Sequence, residues 1–209
     1  MNGSGPPAPT RKAYGRLNRF IARQVPVDGL LPLVHITRAY AFDYIVDGDT
    51  LEPSACEVFK EKILYLFYGR PAYRAKEGNN ARLEFEWPIV FVFNPEKISE
   101  IKRIFPFDTG AFAQQLYAEF FDKESELMDF ALNPSLESVR NFVGTFYQDN
   151  NEYYLGETRK NVDIPLRQFE AEGIHELARL PGVQGSKSQD KTRDERSSAP
   201  RSRLRRRYH

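Results

Sequence analysis

The stretch Leu31-Pro32-Leu33-Val34-His35-Ile36-Thr37 decides the fold: it is apolar at its start and polar at its end, the pattern of a strand that surfaces at its last residues. Over residues 39–46 the apolar spacing becomes helical, and Gly48 supplies a stop, so the unit reads as strand, helix, turn. Residues 63–68 form a second strand rich in aromatic and β-compatible side chains, halted by Gly69 and Pro71. Residues 88–94 form a third. Pro95 is expected to open a helix over 95–104, with Glu96 in its first turn and Lys102 and Arg103 in its last, which suits the helix dipole. Further helices are expected over 111–121, where Phe112, Leu116, Phe120 and Phe121 share a face, and over 134–147, where Leu136, Val139, Phe142, Val143 and Phe146 do. A weaker helical pattern covers 167–180. Strands and helices do not alternate strictly and no repeat is visible, so a doubly wound parallel sheet is disfavoured. The expected fold is α+β: a small mixed or antiparallel sheet with surrounding helices and disordered tails.

A chain of 209 residues, 41% apolar and 13% aromatic, can bury one full core. Residues 1–25 read as a flexible basic segment in which Leu17, Phe20 and Ile21 form a short amphipathic stretch. Residues 26–182 read as a single domain and 183–209 as a disordered basic tail. The longest apolar runs are strand-sized, far short of the roughly 20 residues of a membrane span, and the N-terminus lacks the apolar core of a secretory signal. Cys56 is the only cysteine, which excludes an intrachain disulfide and a cysteine-based metal site. A reducing cytoplasm and no membrane partner are the expectation. Charge is uneven: residues 186–209 hold 9 Lys/Arg against 3 Asp/Glu, so the tail is near +6 and the remainder near −5. Such a tail can hold phosphates without reading sequence, or simply be solvated.

The candidate chemistry gathers at two strand ends. His35 and Thr37, at i and i+2, point to one face and together offer an imidazole and a hydroxyl to an amide or a ribose. An isolated histidine on an apolar strand also serves as a hydrogen-bonded core residue. Tyr65, Tyr68 and Tyr73 surround the turn Tyr68-Gly69-Arg70, where aromatic faces stand beside a guanidinium fork suited to phosphate. The alternative is half-buried strand tyrosines with Arg70 paired to a surface carboxylate. Asp108, before the helix expected at 111–121, caps that helix by default; the alternative is an active-site loop residue held by flanking aromatics. His175 has no second ligand at helical spacing, so no metal site is expected. Cys56 lies in a polar stretch that supplies no base.

These residues carry a resemblance. Val34-His35-Ile36-Thr37, the short helix, Gly48, Leu51 and the Tyr65 to Tyr68 strand resemble the opening of the ADP-ribosyltransferase fold, whose DNA-targeting toxin branch starts with a similar His-Ile-Thr. The resemblance implies NAD as substrate, His35 as ligand of its ribose and nicotinamide region, Tyr65 or Tyr68 as the residue stacking on nicotinamide, and a late glutamate assisting transfer. Thr37, Gly69, Arg70 and Asp108 complete the implied NAD site, with His35, Tyr68 and Arg70 as its catalytic residues. The acceptor would be nucleic acid or protein. The stretch from His35 to Phe112 also resembles an uncharacterised bacterial family in which an Asp-Asp-Arg-like segment leads into an apolar strand containing Ile-Glu. Here Asp194-Glu195-Arg196 is similar to that segment, but Pro200 and an arginine-rich end follow. The strand and its glutamate are missing, as in a C-terminally truncated relative, and Glu170 and Glu172 are the substitutes on offer. The contrasting expectation is a non-enzymatic interaction module of a bacterial conflict or regulatory system.

Overall fold

A computed structural model describes residues 15–71 and 87–180. The expectations that fall on Tyr73, on the 183–209 tail and on Asp194 to Arg196 lie outside them. The fold is α+β. A sheet in the order β4-β1-β5 joins β1 (Leu33–Arg38) antiparallel to β4 (Phe67–Tyr68) on one side and to β5 (Pro88–Phe93) on the other. A 3-10 turn, Ala39–Ala41, leads from β1 into α2 (Phe42–Gly48), which ends on a left-handed Asp49. A hairpin of β2 (Ser54–Cys56) and β3 (Glu61–Ile63) stands beside the sheet. The strand expected over 63–68 is thus divided: its first residue ends β3 and its last two form β4, with 64–66 crossing between the two ladders.

The core is helical. Leu17, Phe20 and Ile21 of α1 (Arg16–Ile21) are buried together with Phe130 and Leu132, with Phe142, Val143 and Phe146 of α4 (Leu136–Phe146), and with Ala171, Ile174 and Ala178 of α6 (Phe169–Arg179). The packed region therefore begins at α1, ahead of the start expected at residue 26, because an apolar stripe even two turns long is worth burying. Gly144 marks a close crossing: a Cβ there would lie 2.2 Å from the carbonyl oxygen of Val25. Ser135 caps α4 through the Ser138 N–H, and Asp149 caps the short α5 (Asn150–Leu155) through the Glu152 N–H.

Two expected helices shrink. Of 95–104 only the 3-10 turn Pro95–Lys97 is helical, held by the Asn94 side chain; Ile98 turns extended, and Ile104 bridges to Leu132. Of 111–121 only α3 (Thr109–Ala113) remains, because Gln115 is left-handed at φ 58° and interrupts the ladder. Leu116 then points to solvent while Tyr117 is buried.

Candidate functional site

Alternation on β1 places Leu33, His35 and Thr37 on one face, and cross-strand partners share it: Phe93, Phe91 and Ile89 on β5, Tyr68 on β4. Phe42 of α2 stacks over Phe91 on the same side, with ring centroids 6.2 Å apart. Because 64–66 leave the ladder, the Tyr65 carbonyl has no strand partner and accepts instead from His35 Nδ1 at 2.9 Å. A carbonyl can only accept, so Nδ1 carries a proton and donates it in this bond. Thr37 is half-buried on the same face.

Tyr65 is 40% exposed, and its hydroxyl lies 2.8 Å from Cys56 Sγ. Thr109 and Asp108 also stand beside this hydroxyl. Burial raises the Tyr65 pKa, and the bond to Cys56 raises it further. Burial also pushes the Cys56 thiol up, but the Tyr65 hydroxyl and the N–H groups of Phe59 and Val58 outweigh it and leave the thiol below its ordinary value. Either group can donate in this contact, since a phenol and a thiol each carry one proton and an acceptor lone pair. The Cys56–Tyr65 contact is made across a hairpin, and no local sequence pattern signals it.

Tyr68, Gly69 and Arg70 form a separate corner. The Tyr68 hydroxyl accepts from the Leu31 N–H at 2.9 Å and donates to Asn150 Oδ1 at 3.0 Å, and burial raises its pKa. Gly69 is left-handed at φ 68°, and a Cβ there would meet Leu31 Cδ1 at 2.5 Å. The Arg70 guanidinium lies over the Tyr153 ring, 4.4 Å from its centroid, while the Tyr153 hydroxyl donates to the Tyr68 carbonyl at 3.2 Å. The structure thus links His35 to the Tyr65 carbonyl and Asp108 to the neighbourhood of the Tyr65 hydroxyl, sets Thr37 on the strand face of His35, and commits Tyr68 to packing between sheet and α5. Asp108 is the N-cap of α3, accepting from the N–H groups of Gly110 at 2.8 Å and Ala111 at 3.2 Å.

The substitute carboxylates stand elsewhere. Glu170, 3% exposed, receives Arg16 Nε at 3.1 Å between α6 and α1, and Glu172 faces solvent. His175 is a core residue: its Nε2 donates to the Arg159 carbonyl at 2.8 Å and its ring stacks on Phe146. Among the described residues no group of three His, Cys, Asp or Glu could hold a metal ion, and no helix is long and apolar enough to cross a membrane. A cleft of about 370 Å³ opens between Gly29, Leu30, Asn94, Pro95, Glu96 and Arg140, lined by none of the residues expected at the site. Its guanidinium is already engaged, because Arg140 Nε donates to the Val27 carbonyl at 2.6 Å. No protein family, curated protein or solved structure matches the chain.

Proposed function

We propose that the protein is an ADP-ribosyltransferase-like NAD-binding protein whose acceptor is a nucleic acid or a protein, with His35, Thr37 and Tyr65 holding the nicotinamide riboside end of NAD. The observation that carries this reading is the bond from His35 Nδ1 to the Tyr65 carbonyl, which orients the imidazole and leaves Nε2 free to accept from a ribose hydroxyl or a carboxamide. The Thr37 hydroxyl adds a second polar contact, and the half-exposed Tyr65 ring offers a stacking face. NAD supplies a glycosidic bond whose ribose carbon becomes electrophilic as nicotinamide leaves. A carboxylate beside that carbon would stabilise the developing charge, and Glu170 is withdrawn from such a role by its partner Arg16. Binding is accordingly the part of the reading that these residues carry best.

Ligand-observed NMR with NAD, alongside transfer assays with labelled NAD, tests it. His35→Ala and Tyr65→Ala are each expected to weaken NAD binding about tenfold, roughly 1.4 kcal/mol, whereas Tyr68→Phe leaves it near the parent value. Absence of binding to the folded parent at millimolar NAD, or parent-like binding by His35→Ala, overturns the proposal. The engagement of Glu170 favours a second reading, a non-enzymatic interaction module, in which the parent shows neither NAD binding nor labelling.

A further inference from the structure

Helix α2 buries none of its residues. Tyr40, Asp43, Tyr44 and Asp47 follow at i, i+3, i+4 and i+7 through the 3-10 turn and the helix, which gives them one shared face, while Phe42 stacks on Phe91. Tyr40 is 57% and Tyr44 81% exposed, and both carboxylates face solvent. Trp87 extends the patch, since its carbonyl accepts from the Ala39 N–H at 2.8 Å and its side chain is exposed. Among the described residues neither tyrosine ring has a cation over it and neither carboxylate has an ion pair. Charge sharpens the case. The last turn of α2 contains Asp47, is followed by Asp49 and has no basic residue, which sets carboxylates against the negative end of the helix dipole. Residues 40–52 hold Asp43, Asp47, Asp49 and Glu52 and not one Lys or Arg.

We propose that this face docks the arginine-rich segment 201–207 of the same chain. Arg201, Arg203, Arg205, Arg206 and Arg207 supply planar cations that stack on phenol rings and fork onto carboxylates, the two groups that the α2 face alternates. A cation at the last turn also relieves the misplaced carboxylates. The tether suffices: residues 181–200 span up to about 65 Å when extended, and a domain of this size is about 40 Å across. Attachment to the same chain gives the segment an effective concentration on the order of millimolar, so individually weak contacts add up to substantial occupancy.

Brief trypsin digestion of the full chain, read by intact mass, measures cleavage after Arg203 to Arg207, with cleavage after Lys187 and Arg193 as the internal standard. Cleavage tracks the undocked population, so at low salt Asp43→Asn/Asp47→Asn and, separately, Tyr40→Ser/Tyr44→Ser are expected to be cut in the segment at least about threefold faster than the parent. Salt at about 0.5 M is expected to bring the parent up to the variants' rate. Equal rates for parent and both variants at low salt overturn the proposal. Protection that grows with protein concentration overturns it too, by assigning the occupant to a second copy. No readout involves NAD, so this result stands or falls apart from the nucleotide reading.

Discussion

Tyr65 joins two groups through opposite ends of one residue: its carbonyl accepts a hydrogen bond from His35 Nδ1 and its hydroxyl shares one with Cys56 Sγ. Tyr65→Phe keeps the carbonyl contact and removes the hydroxyl with its contacts to Cys56 and Thr109. The thiol, now held below its ordinary value, loses its strongest stabilising bond and its pKa rises. The pH-rate curve for alkylation of Cys56 should move to higher pH, slowing labelling at a given pH; an unmoved curve would mean that the phenol does not donate to the sulfur. Gly69→Ala tests the other corner. The positive φ and the close approach to Leu31 together predict a loss of about 2–4 kcal/mol by denaturant unfolding. His35 is legible in sequence because a polar residue in a run of apolar strand residues needs a reason. The choice between Tyr65 and Tyr68 is not legible, since nothing in 63–68 shows that the chain changes ladders between them.

At the scale of elements, α1 brings part of the segment read as flexible into the core. Leu17 and Ile21 are wholly buried against α4, α6 and Phe130, so Leu17→Ala is expected to cost about 2–5 kcal/mol, and a chain begun at residue 26 should lose the cooperative thermal transition. Retention of the parent Tm on removing α1 would contradict this. Helices α4 and α6 are readable because their apolar spacing persists for eleven residues each. The helices expected at 95–104 and 111–121 end early, for reasons local patterns do not record: a bridge from Ile104 to Leu132, and a left-handed Gln115 that lets Tyr117 reach the core. Tertiary burial overrides propensity at both places.

At the scale of the molecule, a helical body carries most of the buried apolar surface, and a thin sheet stands against it with Val90 and Val92 of β5 left exposed. Tyr68 is the sheet residue that packs onto the helical core, and its hydroxyl, its carbonyl and Asn150 tie strand ends to α5 and to the 28–31 segment. The consequence concerns cooperativity. If this corner is what makes sheet and helices open together, amide hydrogen exchange should show one protected unit in the parent. Tyr68→Phe leaves the Leu31 N–H and Asn150 Oδ1 without the Tyr68 hydroxyl, a loss of about 1–3 kcal/mol. The amides of β1 should then exchange through an opening of their own while those of α4 keep the parent's protection, separating one folding unit into two.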